Sequence, residues 1–103
     1  LIKGKVEFLS SSDLRIPHMG WNGIKINNDH PILNNVKLNA DFYFVHSYFF
    51  NTDSVNNVVT YTDYGCEFPS IVCNDKKNVI GIQFHPEKSQ KQGIKILQNF
   101  LNL

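Results

Sequence analysis

Gly81-Ile82-Gln83-Phe84-His85-Pro86-Glu87-Lys88-Ser89 is the stretch that organises the reading of this chain. Val79 to Phe84 is apolar and rich in strand formers, and predicts a strand. His85 follows at its carboxyl end, the position where ligands bind in open α/β sheets. Pro86 restricts the backbone there, and Glu87 stands two residues beyond the histidine. After this turn the period of the sequence changes. Ser89 followed by Gln92 matches a capping box, in which hydroxyl and amide each satisfy a free backbone N–H. Ile94, Leu97 and Leu101 share one helical face, flanked by Ile96 and Phe100, so the spacing predicts a helix over Gln90 to Asn102. Gly93 lies inside it at a cost of about 1 kcal/mol against Ala. That cost predicts close packing of the helix on the sheet at this point.

Upstream, the pattern is of short strands and polar turns. Lys3 to Phe8 reads as a strand, and Ser10 to Asp13 as a turn. Arg15 to Trp21 contains Pro17 and Gly20, which exclude a regular helix and predict an irregular, shaped segment. Gly23 to Ile26 predicts a short strand, Asn27 to Pro31 a turn, and Ile32 to Asn39 a short helical turn. Asp41 to Phe50, DFYFVHSYFF, is so dense in aromatic and β-branched residues that it predicts one buried or half-buried strand. Asn51 to Asn57 is polar connection. Val58 to Thr62 and Phe68 to Cys73 predict two more strands, with Tyr64-Gly65 between them, and Asn74 to Asn78 a polar turn.

The chain has 103 residues, which fits one domain. Its 10 Lys+Arg against 9 Asp+Glu leave a net charge of +1, which argues against nucleic acid or an anionic membrane surface as the partner. No apolar run approaches the ~20 residues that span a bilayer. LIKGKVEF lacks a signal-peptide layout, and the two cysteines, Cys66 and Cys73, are too few for a disulfide scaffold. They read as reduced thiols of a cytoplasmic protein. Their spacing is not that of a zinc pair, so no metal is expected. The chain starts at Leu1 and opens directly into a strand-like segment, which predicts a piece of a longer protein.

A histidine and a carboxylate on a stiff turn form the base and orienter of a nucleophilic triad. The imidazole takes a proton from a nucleophile and returns one to the leaving group, while the carboxylate holds its tautomer and stabilises the imidazolium. The same tripeptide also serves as a plain helix-starting turn, with the acidic residue favoured by the helix dipole.

The segment GIQFHPEKSQ resembles the carboxyl-terminal signature of the class I, triad-type glutamine amidotransferases. IPHMGWN at Ile16 to Asn22 and YFVHSY at Tyr43 to Tyr48 are narrower and resemble the glutaminase subunits of imidazole glycerol phosphate synthases, enzymes of histidine biosynthesis. The resemblance runs over essentially the whole chain. It implies an α/β fold: residues 1–103 as the C-terminal half of a flavodoxin-like glutamine amidotransferase domain, β-rich with a C-terminal helix. It makes His85 the general base and acid, and Glu87 its orienting carboxylate. His46, Ser47 and Tyr48 correspond to the stretch whose backbone holds the amino-acid end of glutamine. Pro17, His18, Met19, Trp21 and Asn22, with Tyr43 and Lys88, correspond to the surface that docks on a (βα)8-barrel cyclase subunit, which receives the ammonia. No metal or organic cofactor is implied. His18 and His46 also suit satisfied core histidines, with a structural hydrogen-bonding role the stronger expectation for His18, and Trp21, Tyr43 and Tyr48 also suit a buried core.

The family's nucleophile is a cysteine in a G-x-C-x-G-x-Q elbow, and these 103 residues contain none. Cys66 and Cys73 sit in strand-like surroundings without a glycine-rich elbow and are rejected for that role. The chain by itself is therefore expected to be inactive and to need the missing nucleophile-bearing half. Half of such a sheet is also expected to expose a strand edge and an apolar face. Two other readings stay open. One is a related amidotransferase serving surface-sugar biosynthesis. The other is a non-catalytic interaction module that never had the cysteine.

Overall fold

The computed structural model describes residues 1–10 and 14–103. Most of the turn expected at Ser10 to Asp13 lies outside the described residues. Among the described residues, eight short strands precede one α-helix: β1 (Gly4–Phe8), β2 (His18–Gly23), β3 (Lys25–Ile26), β4 (Asp41–His46), β5 (Tyr48–Thr52), β6 (Val58–Asp63), β7 (Glu67–Cys73), β8 (Ile80–Ile82) and α1 (Gln90–Leu101). They form two ribbons, β1-β5 and β2-β4, and a four-stranded sheet in the order β3-β6-β7-β8, and each of these pairings is antiparallel.

Alternation builds the core. In β4, Phe42, Phe44 and His46 point inward, while Asp41 and Val45 face solvent. Phe42 and Phe44 meet Phe84, at ring-centroid distances of 4.5 and 5.6 Å, and Phe44 also meets Phe68 edge-on. Leu9, Ile32, Ile71 and Ile96 complete the same cluster. Each such fully buried aromatic or aliphatic side chain contributes about 1.5–3 kcal/mol by leaving water. Phe84 thus anchors the strand-to-turn transition just ahead of His85.

Several sequence expectations are corrected by tertiary contacts. Asp41 to Phe50 is not one strand. The chain bends at Ser47, sending β4 to pair with β2 and β5 with β1. The Arg15 to Trp21 segment is irregular only at its start. From His18 it pairs with β4, and Gly20 accommodates φ +129°, a conformation that L side chains rarely adopt. The last predicted strand is shorter, Ile80–Ile82, although Gln83 N–H still donates to the Ser70 carbonyl at 2.8 Å.

The helix forms where its period predicts, but its start and its buried face differ. The Ser89–Gln92 capping box does not form, because both side chains are engaged elsewhere. Gln92 Oε1 accepts the Lys37 N–H at 2.8 Å. The buried residues of α1 are Gly93 and Ile96, while Ile94, Leu97 and Leu101 face solvent. Gly93 packs against the Pro86–Lys88 turn, not the sheet: a Cβ there would lie 2.0 Å from the Pro86 carbonyl oxygen.

Candidate active site

Two residues, Gln83 and Phe84, separate the end of β8 from His85, and Phe84 is buried. Pro86–Lys88 then forms a single 3-10 turn, closed by Lys88 N–H to the His85 carbonyl at 3.1 Å and Ser89 N–H to the Pro86 carbonyl at 3.1 Å. Proline at its first position suits a turn in which that N–H would have no partner. The turn brings His85 Nδ1 within 3.1 Å of Glu87 Oε2, with both side chains open to solvent. Since a carboxylate only accepts, Nδ1 carries a hydrogen, which in a neutral ring leaves the lone pair on Nε2. The Glu87 carboxyl is held below the usual range, first by its own backbone N–H and then by the His85 ring.

The main chain of His85 is tied to β4 on both sides. Its N–H donates to the Tyr43 carbonyl at 2.9 Å. Its carbonyl accepts the Ser89 hydroxyl at 2.7 Å, and Ser89 Oγ in turn accepts the Tyr43 N–H at 2.9 Å. Ser89 is 2% exposed, so these bonds are sheltered from competing water. The hydroxyl that the sequence assigns to a helix cap instead fixes the histidine to the neighbouring strand.

The PHMGWN and FVHSY segments are cross-strand neighbours. The register places His18 opposite His46, Met19 opposite Val45 and Trp21 opposite Tyr43. Odd and even positions therefore divide. Met19 and Trp21 are exposed, at 62% and 50%, and Trp21 packs edge-on to Tyr43 at 5.6 Å. With Val45 they make one outward apolar face beside the His85 turn. Pro17 is half-buried at the head of the strand. Lys88 is exposed on the turn and forms no ion pair among the described residues.

His18 and Asn22 point the other way, into the core. His18 Nδ1 lies 2.9 Å from His46 Nε2, Asn22 Nδ2 lies 3.3 Å from His18 Nε2, and His46 Nδ1 lies 2.9 Å from the Tyr48 carbonyl. Asn22 Nδ2 also donates to the Asp63 carbonyl at 2.8 Å, and its Oδ1 accepts the Gly23 N–H. His18 is stacked between Tyr64, at 3.9 Å, and Phe44, at 4.8 Å. Burial lowers the basicity of both rings, and that of His18 falls from 6.5 to about 4, helped by the facing His46. Of the HSY residues, His46 is buried, Ser47 forms the bend and accepts Leu9 N–H at 2.7 Å through its carbonyl, and Tyr48 is exposed against Phe8.

Sequence reasoning missed the Ser89 clamp, the Asn22 and Tyr64 contacts to His18, and the His18–His46 pairing itself. Only the last had a readable signal, since both histidines alternate with outward apolar residues. Cys66 follows the turn at Gly65, and burial at the end of β7 pushes the Cys73 thiol up. Among the described residues no group of three or more His, Cys, Asp or Glu comes together to hold a metal.

A histidine–carboxylate pair on a strand-to-helix turn, clamped to the adjacent strand, has the geometry that a general base and its orienting carboxylate require. Residues 3–103 match the model of the family described as glutamine amidotransferase class-I, and the chain belongs to that family. Among its relatives, the imidazole glycerol phosphate synthase subunit HisH of Methanosarcina barkeri is 48% identical over 103 residues, covering 100% of this chain and 50% of the relative. The same-named subunit of Methanocaldococcus jannaschii is also 48% identical over 103 residues, with 100% and 50% covered. That of Azospirillum brasilense is 46% identical over 102 residues, covering 97% of this chain and 52% of the relative. The chain thus spans about half the length of the curated relatives it matches.

Proposed function

We propose that the chain is the carboxyl-terminal part of a single glutamine amidotransferase domain, the glutaminase subunit of an imidazole glycerol phosphate synthase. The reaction is glutamine plus water to glutamate plus ammonia, and the ammonia passes through a (βα)8-barrel cyclase to its ribonucleotide substrate. The observation that carries this reading is the 3.1 Å contact from His85 Nδ1 to Glu87 Oε2, which leaves Nε2 open to an incoming thiol. A cysteine from the missing half supplies that thiol. His85 removes its proton, the thiolate attacks the amide carbon, and the same proton leaves on ammonia. Water, deprotonated by His85, then hydrolyses the glutamyl thioester. Glu87 holds the ring orientation and balances the imidazolium charge.

The Ser47–Tyr48 backbone beside His46 grips the amino-acid end of glutamine. The outward face of Met19, Trp21 and Tyr43, with Pro17 and Lys88 at its margins, docks on the barrel. His18 and Asn22 support that face from behind. The relatives' name favours histidine biosynthesis over a surface-sugar pathway, and a cytoplasmic setting goes with it. No helix of the described residues is long and apolar enough to cross a membrane.

The test combines the chain with the nucleophile-bearing half and the barrel cyclase. His85→Ala should reduce glutamine hydrolysis by about 10³-fold or more, with ammonia-driven synthesis intact, and the chain alone should release no glutamate. Glutamate release by the chain alone, or full glutaminase activity in H85A, overturns the proposal.

A further inference from the structure

The hydrogen bonds around His18 and His46 have only one consistent direction. A carbonyl oxygen accepts but cannot donate, so His46 Nδ1, 2.9 Å from the Tyr48 carbonyl, must carry a hydrogen. In a neutral ring this leaves His46 Nε2 as an acceptor. The His18 Nδ1 facing it at 2.9 Å is then a donor. His18 Nε2 becomes an acceptor in turn, and takes a hydrogen from the Asn22 amide at 3.3 Å. The second hydrogen of that amide goes to the Asp63 carbonyl. The chain of donors therefore runs from Asn22 through His18 and His46 to the Tyr48 carbonyl, and every ring nitrogen is satisfied.

A charge on either ring breaks the sequence. A protonated His46 would present a second N–H to the His18 N–H. If His18 changed tautomer to accept it, its Nε2–H would face the Asn22 amide hydrogens. Tyr64, Phe44 and Phe68 pack against the pair, and among the described residues no carboxylate bonds to either ring. Burial acts in the same direction by penalising the charged forms.

The last acceptor lies across the Ser47 bend from His46. An N–H two residues back holds the Tyr48 carbonyl, and so fixes the orientation of the peptide plane after the bend. The first donors stand on β2, whose opposite face carries Met19 and Trp21. We propose that His18 and His46 are positioning residues for glutamine: their neutral, tautomer-locked pair sets the Ser47–Tyr48 backbone that grips the substrate's amino-acid end, and ties it to the strand bearing the partner face. The proposal rests on the glutaminase reading above.

The experiment has a spectroscopic and a kinetic arm. Nitrogen NMR of the imidazoles in the full chain, combined with the nucleophile-bearing half, should show both rings neutral at pH 7 with hydrogen on Nδ1 of each. A charged ring, or hydrogen on Nε2 of His46, overturns the lock. In the same reconstituted domain, His46→Leu should raise KM for glutamine at least tenfold with kcat within about threefold, because only uniform substrate binding is lost. His46→Asn keeps a donor near the Nδ1 position and should restore most of the KM.

A merely structural histidine would lower the active fraction, and hence kcat, and leave KM unmoved. A kcat loss at constant KM, or equal KM in the Leu variant and the parent, overturns the positioning role. His18→Asn against His18→Leu repeats the comparison one step back should His46→Leu fail to fold. If the unsubstituted reconstituted domain releases no glutamate, the glutaminase reading itself falls, and the positioning role falls with it.

Discussion

The Ser89 hydroxyl accepts the backbone N–H of Tyr43 at 2.9 Å, across 46 residues of sequence. Since the same hydroxyl donates to the His85 carbonyl, one buried side chain joins the histidine turn to β4. Ser89→Ala leaves a part-buried N–H and a part-buried carbonyl without their partner. The expected loss is about 1–3 kcal/mol of stability, read from urea denaturation. An unchanged urea midpoint would show that water replaces the hydroxyl.

Gly93→Ala sets two effects against each other. Helix propensity favours alanine by about 1 kcal/mol. Against it, the new Cβ would meet the Pro86 carbonyl oxygen at 2.0 Å and Ser89 Cβ at 2.7 Å. Both obstacles belong to the packed histidine turn and are not the far end of a flexible side chain. Overpacking of this kind costs about 1–3 kcal/mol, so the steric effect wins and the melting temperature should fall. A rise would mean that the turn yields freely.

Stability should weaken in mild acid. His18 has its basicity lowered from 6.5 to about 4 in the folded chain. Between these values the unfolded chain binds the proton and the folded chain does not, so stability rises with pH across that window. The contribution of His18 is complete above about pH 6.5, is lost progressively on descending to about 4, and is absent below. It amounts to roughly 3 kcal/mol. His46 and His30, also lowered by burial, add in the same direction. Urea midpoints at pH 7 and pH 4.5 read the difference, and His18→Phe should flatten it. A midpoint independent of pH in the parent chain would contradict the buried neutral pair.

Trp21 offers the clearest separation of binding from folding. It is half exposed and packs edge-on to Tyr43, so Trp21→Ala should leave the circular dichroism spectrum and the melting curve nearly unchanged. Aromatic anchors at interface centres contribute about 2 kcal/mol or more. Affinity for the barrel cyclase should therefore fall at least about 30-fold, measured by calorimetry with the reconstituted domain. Equal affinity would remove this face from the proposed interface.

The His85–Glu87 pair is legible in the sequence because its geometry is local. Two residues apart on a turn restricted by Pro86, the side chains reach each other whatever the rest of the chain does. Helix α1 is legible too, since a period of 3.6 is written in consecutive residues. Its buried face is not. Ile94, Leu97 and Leu101 look like the core stripe, yet Gly93 and Ile96 are the residues covered, because the turn that precedes the helix approaches closely only at the glycine. The capping box fails for a similar reason. Ser89 and Gln92 find better-placed partners on Tyr43, His85 and Lys37, none of which sequence spacing could nominate.

DFYFVHSYFF shows where the division falls. Its alternation determines which side chains of a strand share a face, and so places Phe42, Phe44 and His46 together. It is silent on the bend at Ser47, because β-propensity persists through it. Only pairing with two different partners, β2 on one side and β1 on the other, sends the halves apart. Composition and local spacing by themselves determined most of the strands, the helix and the histidine–carboxylate turn, since these depend on bonded neighbours, but not the strand at His18–Gly23 or the break between β4 and β5. Register between distant strands decided the meeting of His18 with His46 and the grouping of Met19, Trp21 and Tyr43. That register is chosen by burying Phe42, Phe44 and Phe68 in one core, a free energy that belongs to the folded chain as a whole.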